Sequence, residues 1–221
     1  MRFGPGHPLA YPIAVTIGAL AIVTAASPFG DTDQRAALVT VGVVILGYTV
    51  IRLATAYGAV PCGLGPAGTV DIARIRQQHR LVSRSWLEIT APEPIGARWL
   101  PIYFDRALLT LTETAAENTG RGLRAADLRL YPSGRARTAE PPGRLIDNPS
   151  RPDPEAKALA IAATRPARRL LLDAQSAVAA PFAGLLWIYI DGGGIVTFLL
   201  ATSVAAATAV WLSAIRGSDP S

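Results

Sequence analysis

The run GLGPAG matches a dinucleotide-binding fingerprint of three glycines, Gly63-x-Gly65-x-x-Gly68. In that fingerprint the glycines follow a buried strand and open a helix, whose backbone amides hold a pyrophosphate. Glu88 follows Gly68 by 20 residues, where a ribose-binding acid is expected. Here, however, a 25-residue apolar stretch precedes the glycines, and Pro66 removes one amide donor. We therefore interpret the glycines as a flexible exit from a helix and predict no nucleotide cofactor.

Other residues that could carry catalysis or bind a metal are scarce. The single cysteine, Cys62, excludes an intramolecular disulfide and a cysteine-based zinc cluster, and His7 and His79 are the two histidines. Ser133 lies in YPSGR, which lacks the GxSxG frame of a nucleophile elbow. The sequence predicts no catalytic, metal-binding or cofactor-binding site and favours a protein that is not an enzyme.

Two charged residues, Arg52 and Asp173, lie inside otherwise apolar stretches at 36–60 and 170–190. Ionisable residues within membrane spans are functional candidates by default. The long Arg52 side chain could snorkel to the membrane surface, or it could pair with Asp173. We favour snorkelling, because Asp173 lies in the first turn of its stretch and is shallow enough to be hydrated.

The composition indicates a membrane protein. Half of the 221 residues are hydrophobic, and 17% are charged, whereas soluble domains carry about 25%. Arginine replaces lysine almost everywhere, since Lys157 is the only lysine. Together with the many alanines and glycines, this bias is typical of a GC-rich genome and does not by itself indicate nucleic-acid binding.

Four apolar stretches are long enough to span a membrane, which takes about 20 residues in a helix. They cover 8–29, 36–60, 170–190 and 195–215. The first could instead be a signal peptide, but its apolar run exceeds the usual length and a second stretch follows almost at once. We predict four transmembrane helices in two hairpins. Small residues within them suit close helix contacts, among them Gly42, Gly47, Ala201, Ala205 and Ala209.

Basic residues near the ends of these stretches predict the orientation. The first hairpin turn contains two acidic residues, Asp31 and Asp33, and one basic residue, Arg35. The charged residue of the second turn is Asp191. The opposite ends carry Arg2, Arg52, Arg74, Arg76, Arg165, Arg168, Arg169 and Arg216. We predict a multi-pass protein of the plasma membrane with both termini and the central segment in the cytoplasm.

The central segment predicts a small β-rich domain. Short alternating runs rich in β-branched and aromatic residues suggest strands at 83–90, 97–105, 108–114 and 126–132. The apolar residues of the preceding run, 69–82, fit the period of a helix as well as that of a strand, and we favour a helix there. Strands of this number and length predict a small antiparallel barrel or sandwich, SH3-like, OB-like or PH-like.

Trp86 and Trp99 are the most prominent aromatic residues of this segment. They could fill the core of a small barrel, or they could form an exposed face that binds a peptide or single-stranded nucleic acid. We favour the core. Residues 61–173 hold 16 Arg and one Lys against 12 acidic residues. This modest surplus of positive charge suits a domain beneath an anionic membrane leaflet, and we expect no nucleic-acid partner.

A proline-rich strap at 137–152 follows the strands, and Asp-Pro-Glu at 153–155 predicts the start of a helix. Arg165, Arg168 and Arg169 precede the third span and are predicted to contact anionic lipid headgroups. The predicted organisation is a first hairpin at 1–60, a β-rich domain with its strap at 61–152, a juxtamembrane helix at 153–169, and a second hairpin with a short tail at 170–221.

The Ala/Arg-rich composition, the two hairpins and an inserted segment with RSWLEIT and RWLPIYFD resemble uncharacterised multi-pass membrane proteins of actinobacteria, mycobacteria included. The resemblance implies no specific activity. We expect a non-enzymatic scaffold or accessory subunit whose cytoplasmic domain contacts a protein partner or a second copy. A small transporter or channel-like protein using Arg52 and Asp173 is the alternative.

Overall fold

The computed structural model describes residues 6–90, 96–111, 113–147 and 154–221. Within these ranges the α-helices are α1 (Ala10–Ala26), α2 (Thr32–Ala56), α3 (Ala156–Ala163), α4 (Pro166–Ala174), α5 (Ala180–Asp191) and α6 (Ile195–Ile215). A short 3-10 turn extends α1, and another joins α4 to α5. In the described part of the chain, four helical stretches are long and apolar enough to cross a membrane: Ala10–Phe29, Thr32–Ala56, Pro166–Asp191 and Ile195–Ile215. The four predicted apolar spans are therefore confirmed as helices.

Local signals explain why two of these helices begin earlier than predicted. The Asp31 side chain accepts a hydrogen bond from the Gln34 amide at 2.9 Å and so caps α2. Pro166 occupies the first turn of α4, a position where its missing amide costs no hydrogen bond. The third span consequently begins before Arg168 and Arg169.

Helix α6 is the centre of the bundle, because it packs against both α1 and α5 while α2 packs mainly against α1. The shared core includes Val23, Ile45 and Trp211. Many large apolar side chains on the outer helix faces, such as Val43 and Ile190, are exposed. An apolar outer surface of this kind suits lipid contact.

The seven strands found among the described residues form one antiparallel sheet. They are β1 (Gly68–His79), β2 (Val82–Thr90), β3 (Ala97–Ile102), β4 (Thr114–Asn118), β5 (Leu123–Ala125), β6 (Leu128–Leu130) and β7 (Arg144–Asp147). The order is β3-β2-β1-β4-β5-β6, and β7 pairs with the second half of β1. The sheet curls into a half-barrel.

Beyond β6 the chain returns along β3. The amide of Tyr103 donates to the Tyr131 carbonyl at 2.9 Å, and Trp99 exchanges two 2.8 Å backbone bonds with Arg137. Residues 131–137 therefore cover the free edge of β3. The structure thus contains a membrane-type helical part and a small curled antiparallel domain, as the sequence predicted.

The predicted helix at 69–82 was wrong, because residues 68–79 form strand β1. Val70, Ile72 and Arg74 point to one buried face with a period of two. Ile75 is also buried, because it packs against Trp86 on the opposite face. Because both faces of β1 are buried, its apolar and polar residues do not alternate regularly, and the sequence pattern is ambiguous.

The predicted strand at 108–114 was also wrong in most of its length. Residues Arg106–Leu109 form a 3-10 turn, and β4 begins only at Thr114. The Asp105 side chain accepts a hydrogen bond from the Ala107 amide at 2.9 Å, which starts the turn. The predicted strand at 126–132 is divided between a turn and β6, and the predicted strap at 137–152 contains β7 and extends into residues outside the described ranges.

Candidate functional site at the helix–sheet junction

The chain after α6 forms most of the junction between the helices and the sheet. Residues 217–220 are buried, and the amide of Asp219 donates to the Ser83 carbonyl at 2.9 Å. Gly217 adopts a φ of +83°, and a Cβ there would lie 2.7 Å from the Ser133 hydroxyl. The predicted short tail is therefore an integral part of the packing, which its sequence did not indicate.

A buried ion pair fastens this tail to β1. The guanidinium of Arg74 lies 2.7 Å from the Asp219 carboxylate, and the two side chains are 2% and 0% exposed. The Ser85 hydroxyl also donates to this carboxylate. Burial alone would raise the pKa of Asp219, but Arg74 and hydrogen bonds from Ser221 and Ser85 outweigh it and hold the pKa below its usual range. The carboxylate is therefore charged at neutral pH.

Asp173 is the second buried carboxylate of the junction, and its residue is 2% exposed. Its oxygens accept hydrogen bonds from the hydroxyls of Tyr11 at 2.6 Å, Ser213 at 2.7 Å and Ser218 at 3.0 Å. These donors come from α1, from α6 and from the tail. Asp173 therefore joins three segments and does not occupy the hydrated position that the sequence suggested.

Arg52 is not paired with Asp173 in the structure. Its Nη1 atom donates to the Ser133 carbonyl of the β domain at 2.7 Å, and its Nη2 atom donates to the Tyr48 hydroxyl. The guanidinium also lies 4.7 Å from the centre of the Tyr48 ring. Arg52 thus connects α2 to the sheet, and the two predicted site residues belong to separate parts of one junction.

The predicted lipid-contacting arginines differ in exposure. Arg165 and Arg168 are exposed at the start of α4, whereas Arg169 is buried. Its guanidinium carbon lies 4.0 Å from the centre of the Tyr11 ring. Arg169 therefore packs beside the Asp173 network, and only Arg165 and Arg168 are accessible to lipid.

Trp86 and Trp99 are buried together with Ile75 in a small cluster on one face of the sheet. The indole nitrogen of Trp86 donates to the Gln77 side chain at 2.8 Å. Both tryptophans lie in the interior, in agreement with the core interpretation of these aromatic residues.

The glycine-rich run lies in the loop that leads into β1. Gly68 begins a strand and not a helix. The Arg98 side chain donates to the Gly63 carbonyl at 2.6 Å, and Asn118 donates to the Pro66 carbonyl at 2.7 Å. These contacts fix the loop against the sheet, and Glu88 lies within β2. The helix that a dinucleotide site requires after its third glycine is replaced here by β1.

The helices enclose a mainly apolar cleft of about 470 Å³ between α2 and α5, with α6 as its floor. Its lining includes Leu38, Val41 and Trp187, and the small residues Ala201, Ala205 and Ala209 face it from α6.

Sequence reasoning missed Arg74, Asp219 and the serines around Asp173 as junction residues. The one available signal was the polar run RGSDPS directly after an apolar span. The structure describes no group of three His, Cys, Asp or Glu side chains that could hold a metal ion within its described ranges. Comparison with protein-family models, curated proteins and solved structures finds no match to the chain.

Proposed function

We propose that this chain is a plasma-membrane protein that acts without catalysis, as a scaffold or accessory subunit. In this proposal both termini and the β domain lie in the cytoplasm, and the β domain contacts a protein partner or a second copy of the chain. The observation that carries the proposal is the buried junction of Arg74, Asp219 and Asp173. Such a junction holds the sheet at a fixed position beside the helix ends, as a docking platform requires.

The same junction argues against a transporter that uses Arg52 and Asp173. Three hydroxyls engage the Asp173 carboxylate, and Arg52 is bonded to Ser133 and Tyr48. A transport path needs polar groups facing a hydrated cavity at mid-depth. The cleft between α2 and α5 is instead lined chiefly by apolar side chains.

Purification of the full chain in a mild detergent, followed by reconstitution, tests this proposal. We expect a second protein, or further copies of the chain, at a constant ratio through size-exclusion chromatography. We also expect liposomes that contain the chain alone to pass no ions or small solutes.

Flux through the chain alone that is abolished by Asp173→Asn and retained in Asp191→Asn would contradict the proposal and support the transporter. Asp191 is a suitable control because it is an exposed acid at the far end of α5. A chain that remains monomeric and without a partner at physiological expression would contradict it as well.

A further inference from the structure

Two arginines from distant parts of the chain meet at one tyrosine hydroxyl. Arg52 lies in the last part of α2, and Arg216 directly follows α6. Both donate to the Tyr48 hydroxyl, Arg216 through its Nε atom at 3.2 Å. The two guanidinium groups are therefore close neighbours in space although 164 residues separate them in the sequence.

Arg84 of β2 is the third member of this arginine cluster. Burial lowers the pKa of Arg84 to about 10. The nearby positive charges of Arg216, Arg52 and Arg137 also lower this pKa, whereas Tyr48 raises it. The backbone of Arg84 also forms a β-bridge with Ser218, so that its position is set by the tail. The three arginines thus converge from a helix, a strand and the tail.

Among the described residues, the positive charge of the cluster has no acidic partner. In the part of the chain that the structure describes, no carboxylate forms an ion pair with Arg52, Arg84 or Arg216. The Nε atoms of Arg52 and Arg84 are buried and have no hydrogen-bond partner within the described ranges. Buried donors and charges without partners are costly, and their cost falls when an anion accepts their hydrogen bonds.

The cluster lies where two candidate spans end. Arg52 is four residues before the end of α2, and Arg216 is the residue after α6. In a helix that spans a bilayer, residues at this level reach the phosphates of the lipid headgroups. A phosphate group offers several oxygens to the planar, multi-donor guanidinium, which binds phosphate groups through paired, charge-assisted hydrogen bonds.

We propose that Arg52, Arg84 and Arg216 form a binding site for a phosphate group, with the Tyr48 hydroxyl between two of them. The phosphate could belong to an anionic lipid headgroup or to a soluble phosphate compound, since both present the same oxygens. This site is distinct from the predicted lipid contacts at Arg165 and Arg168, and it does not depend on the scaffold proposal.

The full-length chain tests the proposal in two arms. In detergent, inorganic phosphate is titrated against the protein, and binding is followed by calorimetry and by thermal stability. In nanodiscs, phosphatidylcholine alone is compared with an equimolar mixture of phosphatidylcholine and phosphatidylglycerol. Stabilisation by inorganic phosphate identifies a soluble ligand, and stabilisation confined to phosphatidylglycerol nanodiscs identifies a lipid headgroup.

Arg84→Gln and Arg216→Gln are the test variants, and Arg124→Gln is the control, since Arg124 is an exposed arginine of β5. We expect either test variant to weaken binding about tenfold or more, as the loss of a charged hydrogen bond predicts, and the control to bind as the native chain does. Without phosphate or anionic lipid, Arg84→Gln should raise the melting temperature, because it relieves repulsion in the cluster.

A purely structural role for these arginines predicts the opposite, namely a lower melting temperature in every condition. The proposal is overturned if neither ligand stabilises the native chain. Equal loss of binding in the Arg124 control and in the test variants also overturns it, since the effect would then reflect net charge alone.

Discussion

At the scale of single residues, the most consequential interaction is the ion pair between Arg74 and Asp219. Both side chains are almost completely buried, so neither charge is solvated by water once its partner is lost. Such pairs add little to the stability of the fold compared with an apolar replacement of both residues, but removing only one partner is strongly destabilising. The pair therefore determines whether the tail stays docked on the sheet.

Asp219→Asn is accordingly expected to destabilise the protein by about 3–5 kcal/mol, because it leaves the Arg74 charge buried and unpaired. Reversible denaturation in detergent micelles would measure the change. Asp127→Asn is the control, since Asp127 is an exposed acid in the turn between β5 and β6 and should have little effect.

The same carboxylate predicts a dependence on pH. The pKa of Asp219 is lower in the folded chain than in the unfolded chain, where it lies at about 3.9. Its contribution to stability is therefore complete above about pH 4 and declines as the pH falls toward the folded-state pKa. Denaturation series at decreasing pH should show a smaller acid-induced loss in Asp219→Asn than in the native chain; equal losses would contradict this assignment.

Arg52 and Asp173 provide a second test at the residue scale. They share no hydrogen-bond partner, so the effects of Arg52→Leu and Asp173→Leu should add to within about 0.5 kcal/mol in the double variant. Stability of the two single variants and the double variant in one detergent measures the coupling. A coupling above about 1 kcal/mol would show that the two residues pair after all.

None of these residue contacts could have been predicted from the sequence. Arg74 and Asp219 are 145 residues apart, and Tyr11 and Asp173 are 162 apart. Hydropathy patterns identify the segment that carries a charge, but they hold no information on which distant segment supplies its partner. The sequence did indicate that Arg52 and Asp173 were unusual, because both interrupt apolar stretches.

At the scale of elements, the helices were predictable because length and continuous apolarity are sufficient to identify them. The strands were less so. Residues 69–82 fit both a helical and a strand period because β1 is buried on both faces. Most of 108–114 is not a strand, because a turn that begins at Asp105 occupies its first part. Tertiary packing in the first case and a local cap in the second overrode the pattern of residue types.

The contact between α5 and α6 gives a prediction at this scale. A Cβ on Gly184 would lie 2.2 Å from the Thr202 hydroxyl and 3.1 Å from the Phe198 carbonyl. The threonine side chain can rotate, but the backbone carbonyl requires the helices to separate slightly. We expect Gly184→Ala to lower stability by about 1–3 kcal/mol, as overpacking does.

Gly47→Ala in α2 is the matched control, because no heavy atom of the described residues lies within 4 Å of the point that its Cβ would occupy. Alanine favours a helix over glycine by up to about 1 kcal/mol, so the control should be neutral or slightly stabilising. Thermal unfolding of both variants in one detergent distinguishes them, and equal behaviour would show that α5 and α6 are not tightly packed at Gly184.

At the scale of the whole molecule, four apolar helices and a curled sheet are joined through the tail and the ends of α2 and α6. Tyr103 of the β domain donates to the Ile215 carbonyl at 2.8 Å, and Leu9, Ala56 and Tyr103 form an apolar cluster at the same place. The division into helical and β-rich parts was predictable from composition. Their close attachment was not, because it depends on the fold of a tail that has no regular periodicity.

The attachment also places the two acidic hairpin turns together at the opposite end of the bundle. The Gln34 side chain at the start of α2 donates to the Asp191 carboxylate at the end of α5, at 2.6 Å. The basic residues Arg52 and Arg216 lie at the end that carries the sheet. This separation of charge supports our proposal that the sheet is cytoplasmic and the hairpin turns are outside.

Accessibility of single cysteines tests the central claim, that the helices span the membrane with the β domain in the cytoplasm. In a Cys62→Ala background, cysteines replace Thr32 beside the first hairpin turn and Thr138 in the β domain, both of which are exposed. A membrane-impermeant maleimide applied to intact cells should label Thr32→Cys, and should label Thr138→Cys only after the membrane is permeabilised. Labelling of Thr138→Cys in intact cells with protection of Thr32→Cys would reverse the topology, and equal labelling of both would contradict a membrane-spanning arrangement.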